Sequence, residues 1–355
     1  MSLERQVMFW VAALLIFGAL LWLLSPVLLP FIAGMVLAYL LDPLTRQVER
    51  IGIGRAASAL LVIVFIIVLF AVVIMLVAPI LGTQLFALIE HIPKYAERVQ
   101  AVIIEPNRAW LERAFGSPGG DPGKSIGGLM AQGASWIATF LASLWAGGRA
   151  LVSLFSLLII TPVVAIYLLC DWDRLVTTID SWIPLHQRET VRGLAREIDD
   201  AIAGFFRGQA VICLILGAFY ALGLTFAGLH FGFLIGMLTG LMSFVPFVGA
   251  ITGFLVASGV AVAQFWPDWT SIAMVVGLFV VGQGLEGYIL SPKLVGAKVG
   301  LHPVWLMFSL FAFGYLFGFV GVLVAIPLAA AIGVLTRFAL RQYQASSLYT
   351  GGKPR

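Results

Sequence analysis

Residues 208–267 read GQAVICLILGAFYALGLTFAGLHFGFLIGMLTGLMSFVPFVGAITGFLVASGVAVAQFWP and contain no Asp, Glu, Lys or Arg. Sixty residues without a formal charge thus separate Arg207 from Asp268. A helix needs about 20 apolar residues to cross a hydrocarbon core about 30 Å thick, so this stretch is long enough for more than one crossing. The rest of the chain agrees. Of its 355 residues 61% are hydrophobic and only 11% charged, whereas soluble domains carry roughly 25% charged residues. So few charges cannot cover a soluble surface of this size. Soluble enzyme and DNA-binding classes are excluded, and the class is an all-α, polytopic helical membrane protein. The net charge of +4 is small and dispersed, which leaves no nucleic-acid footprint. Cys170 and Cys213 sit in or beside apolar runs and make neither a disulfide framework nor a metal cluster.

The gaps between charges map the remaining spans. Uncharged runs of 36 residues (Arg5 to Asp42), 34 (Arg55 to Glu90), 24 (Lys124 to Arg149), 21 (Arg149 to Asp171), 17 (Asp268 to Glu286) and 38 (Lys298 to Arg337) give about eight spans in all. Three runs carry breaks. Residues 7–41 contain Ser25, Pro26 and Pro30; residues 231–263 contain Ser243, Pro246 and Gly249; residues 303–336 contain Gly318, Gly321 and Pro327. Proline removes a helical hydrogen bond and kinks or ends a helix. Broken helices at membrane depth are tolerated where they are buried in protein or line a cavity, and in transporters they mark the substrate path. These six residues of the last two segments are therefore candidates for a gate or path. A single helix over 33 residues would be about 50 Å long, so hairpins are expected at all three breaks.

Arginine and lysine near short loops set the orientation. Arg46, Arg50 and Arg55 place the 42–55 loop in the cytoplasm with Arg5, if 7–41 goes out and back. Five arginines in 171–207 and four basic residues from Arg337 to Arg355 place those segments inside as well. Both termini are expected to be cytoplasmic. The first apolar run has no A-x-A-like cleavage site and is expected to be a retained span. The expected organisation is an N-terminal membrane region at 1–89, an extracytoplasmic amphipathic region at 90–148, a span at 149–170, a cytoplasmic amphipathic region at 171–207, a C-terminal membrane core at 208–340, and a tail at 341–355.

Outside the bilayer, Tyr95, Val99, Val102 and Ile103 fall at helical spacing before the flexible turn 117–123. Gly123-Lys124-Ser125 is not a P-loop, because Pro118 stands where that motif needs glycine and no strand precedes it. Val191, Leu194, Ile198, Ile202 and Phe205 make a second amphipathic helix, placed either on the inner membrane face or against neighbouring helices. His91, His186, His230 and His302 lie near expected helix ends or in loops and read as interfacial polar residues. No hydrolase or metal-ligand pattern is present in the sequence, and neither enzyme chemistry, a metal nor a cofactor is expected.

Glu286 is the most informative acid. It lies near the inner end of an apolar span, with Gln283 one turn earlier on the same face. An acid at mid-bilayer costs roughly 2.5–3.5 kcal/mol on insertion scales, and a carboxyl in low dielectric can exchange a proton near neutral pH. That is the chemistry of a proton relay; the competing reading pairs Glu286 with Lys293 or interfacial water. Arg207 and Gln209 open the uncharged stretch, and Gln264 and Asp268 close a segment within it. Gly232, Gly236 and Gly240 form GxxxGxxxG, a close helix-packing pattern. Leu29-Pro30-Phe31 and Val245-Pro246-Phe247 echo one another as a hint of internal repetition.

Several stretches in this order resemble the AI-2E family of PerM-type bacterial permeases. They are Pro30-Phe31-Ile32-Ala33 with Ala38 to Pro43; Arg207-Gly208-Gln209; Phe244 to Gly249; Gln283 and Glu286 through Pro292 to Gly296; Gly300-Leu301-His302-Pro303; and Phe317 to Gly321 through Pro327-Leu328. Ser243 and Tyr288 depart from the family, which usually has asparagine at both places. The resemblance implies about eight transmembrane helices, an inner-membrane location, secondary transport and homo-oligomeric assembly, with a pentamer as one arrangement. Some members are similar to exporters of autoinducer-2 and others to Na⁺(Li⁺)/H⁺ antiporters. Here the lack of acids in 231–263 and 303–336 favours a small organic solute over a cation site. A non-transporting scaffold or regulator and a channel are the other classes. The expected partners are a small-molecule or ion substrate, the lipid bilayer and further copies of the chain.

Overall fold

The computed structural model describes residues 3–99, 101, 148–296, 300–346 and 349, and among them all regular structure is helical. In chain order the helices are α1 (Leu3–Glu49), α2 (Arg55–Val99), α3 (Gly148–Trp182), α4 (Arg188–Phe226), α5 (Gly232–Met242), α6 (Val248–Phe265), α7 (Trp269–Gly284) and α8 (Pro303–Ala345). After Gly284 the chain goes on in π-helical turns at Leu285–Leu290 and Pro292–Gly296. The 117–123 turn, Gly123-Lys124-Ser125, Val102, Ile103, most of 90–148, Lys298 and the tail from residue 350 lie outside the described residues.

Among the described residues, six stretches are long and apolar enough to cross a membrane: Val27–Glu49, Arg55–His91, Arg188–Phe226, Val248–Phe265, Trp269–Val295 and Val304–Ala345. Large apolar side chains stand exposed along them; on α2 they include Val64, Phe65, Ile67, Val68, Leu69 and Phe70 in close succession. Such a surface suits lipid rather than water. The chain is a polytopic helical membrane protein.

Two expectations need correction. Residues 7–41 are not a hairpin: α1 runs unbroken for 47 residues, about 70 Å. Pro26 and Pro30 each remove one backbone donor, which a long apolar helix absorbs. The cytoplasmic assignment of the N-terminus rested on that hairpin and lapses with it. The divisions expected at 89, 170 and 207 concern membrane boundaries and are not helix ends. α2, α3 and α4 run straight through them, because each charged extension keeps helical spacing with the apolar run it follows or precedes. Finally, Pro327 does not break α8; it is buried inside the second arm, and the break falls at Gly318 alone.

The other two hairpins are present. At Gly318 the backbone takes φ 60° and ψ −140°, a region glycine enters without steric cost. The chain folds back there. A Cβ on Gly321 would strike the Phe313 carbonyl, and one on Gly314 would lie 3.0 Å from Val322. Neither pair could meet in a straight helix. The arm before Gly318 is too short to cross a bilayer by itself. The second hairpin joins α5 to α6 through 243–247. A Cβ on Gly249 would strike Ser243, and one on Gly253 would strike the Thr239 side chain.

The chain forms two compact units. One comprises Met1–Phe65, Leu154–Gly208 and Lys293–Arg355; the other comprises Ile66–Ser153 and Gln209–Pro292. In the second unit α5 lies backbone to backbone on α4. A Cβ on Gly232 would lie 2.7 Å from the Leu224 carbonyl carbon, one on Gly236 would strike Ala221 and Tyr220, and one on Gly240 would strike Gly217. The GxxxGxxxG pattern is thus a packing surface. Gln264 bridges the α4–α5 turn, donating to the Gly228 carbonyl at 2.8 Å and accepting from the His230 amide at 2.7 Å. Asp268 caps α7, accepting from the Thr270 amide at 3.0 Å and the Ser271 hydroxyl at 2.6 Å. In the first unit, α1 meets α3 where a Cβ on Gly34 would lie 2.7 Å from Val164 Cβ. There the Thr161 hydroxyl donates to the Pro30 carbonyl at 3.2 Å. The α4 stripe serves packing: Val191, Leu194, Ile198 and Ile202 are half-buried and Phe205 is buried.

Candidate functional site

Glu286 lies within the π-helical turn Leu285–Leu290, in the span Trp269–Val295. π-Helical turns widen the backbone ladder and recur at functional sites. The side chain is half-buried. Its Oε2 accepts a hydrogen bond from Gln283 Nε2 at 2.9 Å, and among the described residues it makes no ion pair. Gln209, Cys213, Leu216 and Tyr220 recur on α4 at spacings of four, three and four, so they share one face. Gln209 is 3% exposed, and its Nε2 donates to the carbonyl oxygen of Ser243. Ser243, also buried, donates from Oγ to the Thr239 carbonyl at 2.8 Å. The second unit thereby brings together four of the expected residues in two pairs, Glu286 with Gln283 and Gln209 with Ser243. Pro246 lies in the α5–α6 turn, and Gly249, in the first turn of α6, packs against Ser243.

Arg207, Gly318, Gly321 and Pro327 belong to the first unit. Arg207 does not extend freely to the surface. Its Nε donates to the Tyr39 carbonyl at 3.0 Å, and its Nη2 lies 3.6 Å from Asp42. Asp42 also receives Arg46 at 2.9 Å and Arg55 at 3.1 Å. Arg55 donates further to Glu49 at 3.0 Å and to the Leu169 carbonyl at 2.9 Å. The Tyr39 hydroxyl donates to Asp199 at 2.8 Å. Together with Trp172 and Leu168 these groups line a cavity of about 320 Å³.

Reading by apolar runs missed this cluster, because Asp42 and Arg55 mark the ends of runs and look like interfacial charges. It also missed Tyr220, which is 0% exposed. The signal for Tyr220 was its helical register with Gln209 and Cys213. The π-helical turn has no firm sequence signature beyond Gly284 and Gly287 flanking Glu286.

The model of the AI-2E family transporter matches residues 11–341. Among similar proteins, YrrI of Bacillus subtilis, provisionally named a transport protein, is 27% identical over 90% of this chain and 89% of its own length. YueF of the same organism, named likewise, is 24% identical over 87% and 83%. PerM of Escherichia coli K12, provisionally named a permease, is 27% identical over 87% and 86%. A family match across nearly the whole chain, on a framework of apolar helices and two helical hairpins, makes this protein a member of the AI-2E transporter family.

Proposed function

We propose that this protein is an inner-membrane secondary transporter that exports a small polar solute, with autoinducer-2 the solute the resemblance implies, and that proton entry at Glu286 drives export. The observation that carries this reading is a half-buried carboxylate on a π-helical turn within an apolar span, held by one amide and by no counter-ion among the described residues. Such a carboxylate can gain and lose a proton without breaking an ion pair. Gln283 supports the ionised form by donating to it. The Gln209–Ser243 pair and the α5–α6 hairpin supply a broken helix in the same unit. The C-terminus and residues 171–207 are cytoplasmic in this reading, and the transporter works as a homo-oligomer.

The test uses purified protein in liposomes with a trapped pH dye. An outward gradient of autoinducer-2 should drive proton movement, and Glu286→Gln should reduce it at least tenfold while the protein elutes normally on size exclusion. Unchanged proton movement in Glu286→Gln would sink the coupling role. Proton movement driven by Na⁺ or Li⁺ and not by autoinducer-2 would replace export with cation antiport. No response to either, with intact folded protein, would favour the scaffold class.

A further inference from the structure

The cavity of the first unit lies where the apolar runs of four helices end. Asp42 closes the uncharged run of α1, Arg55 precedes that of α2, Asp171 follows that of α3, and Arg207 precedes that of α4. Asp42, Arg55, Arg207 and Trp172, the neighbour of Asp171, all line the cavity. First charges and an indole at one level are what a chain presents where hydrocarbon gives way to lipid headgroups. Met35, one turn before Tyr39 on α1, is 44% exposed and adds an apolar edge to the same cavity.

The charges of the lining are divided. On one side Arg46, Arg55 and Arg207 surround Asp42, and Arg55 also pairs with Glu49. Three guanidiniums against two carboxylates leave one positive charge over. Arg55 commits Nε and both terminal nitrogens to Leu169, Glu49 and Asp42, so Arg46 and Arg207 are the donors with capacity for a ligand. On the other side Asp199 and Asp200 form no ion pair among the described residues; Asp199 accepts the Tyr39 hydroxyl at 2.8 Å. Tyr39 joins the two sides, with Arg207 on its carbonyl and Asp199 on its hydroxyl. Trp172 stands edge-on to the Tyr39 ring, centroids 6.2 Å apart. Ala38 and Ala203 are the small, buried residues of the lining. Asp199, Ala203 and Arg207 recur every four residues on α4, so one helix face offers an acid, a space and a base in turn.

We propose that this cavity holds the phosphoethanolamine head of a membrane phospholipid. Its phosphodiester carries one negative charge and accepts hydrogen bonds from Arg46 and Arg207. Its ammonium donates to Asp199 and Asp200 beside the Tyr39 and Trp172 rings. Both sets of bonds are charge-assisted, and the rings add cation–π attraction. A volume of about 320 Å³ equals about ten waters at about 30 Å³ each, room for such a head. The acyl chains leave along the apolar edge at Met35. Glu286 takes no part, since it belongs to the other unit.

The test is native mass spectrometry of the delipidated full-length protein, titrated with palmitoyl-oleoyl phosphatidylethanolamine or with the matching phosphatidylglycerol. Both carry a singly charged phosphodiester, so the ammonium is the difference read. The first phosphatidylethanolamine should bind at least about tenfold more tightly than the first phosphatidylglycerol, as the loss of a charge-assisted hydrogen bond requires. The double variant Asp199→Asn, Asp200→Asn should bring that ratio to about one. Ala203→Leu, which fills the space and changes no charge, should also remove the preference. Equal affinities in the parent overturn the inference, and that measurement needs no variant. So does a tenfold preference that survives in the double variant and in Ala203→Leu. Glycerophosphoethanolamine, the head without acyl chains, should not displace the bound lipid at equal concentration. Displacement would give the site to a free zwitterion and overturn its assignment to lipid.

Discussion

At Gly236 the backbone of α5 rests on the α4 backbone at Tyr220 and Ala221. At Asp42 three guanidinium groups close on one carboxylate at 2.9, 3.1 and 3.6 Å. The first contact belongs to a unit whose packing surface is almost free of charge, the second to a unit where charges from α1, α2 and α4 meet. Between apolar helices in lipid there is little hydrophobic force, so close backbone approach and dispersion hold them. Such contacts tolerate no added atoms. The ion cluster joins a carboxylate that is 19% exposed to guanidinium groups that are 22% to 63% exposed and fails by a different route, through unpaired charge. The contrast also explains where a lone carboxylate has value. Glu286 is held by Gln283 and by no ion pair among the described residues, whereas Asp42 meets three arginines.

The largest expected effect breaks the glycine contact. Gly236→Leu has no space against α4 and should abolish the monodisperse size-exclusion peak. Gly277→Ala, with nothing within 4 Å of its Cβ position, should leave it intact. Equal behaviour of the two would mean that α5 does not lie on α4. A smaller loss is expected at the charge cluster. Removing one partner from a buried pair costs about 3–5 kcal/mol, and partial exposure of these groups lowers that. Asp42→Ala should destabilise by about 2 kcal/mol in denaturant titration. Adding Arg55→Met should restore none of it, since Arg55 keeps Glu49 and the Leu169 carbonyl as partners and its loss leaves both unpaired.

The smallest effect is a pH dependence at the junction of α3 and α4. Hydrogen bonds from Arg192, joined by the nearby charge of Arg188, hold the Asp180 carboxyl below the usual carboxylate range. Its folded pKa is depressed, so its contribution to stability is present above about pH 4, the unfolded value. It is lost as pH falls below that through the folded value. Asp180→Asn should flatten this acid limb of the stability profile and change little at pH 7. An identical acid limb in the variant would assign it to other carboxylates.

Much of this was legible in the residue order. The 60-residue uncharged run, the glycine triplet at 232, 236 and 240, and the breaks at 243–249 and near 318 all have direct physical signatures, and each marks what the fold uses. Residues 7–41 show the limit of that reading. Pro26 and Pro30 look like the breaks in the other two segments, yet α1 continues through them. Proline costs a helix one donor but does not force a reversal. Reversal needs backbone that can leave the helical region, which Gly318 supplies with its φ of 60° and the 243–247 turn supplies with Phe247 at φ 70°.

Composition and charge spacing determined by themselves that the chain is a helical membrane protein, because hydration of charge and the thickness of hydrocarbon act on any sequence in the same way. The order of its motifs indicated the family. Only the tertiary structure decided that Tyr39, Asp42, Arg55, Asp199 and Arg207 surround one cavity, and that Tyr220 faces Gly282. These groups are far apart in sequence. Their meeting depends on which helix faces touch, and in a chain where nearly every face is apolar, hydropathy alone does not distinguish one face from another.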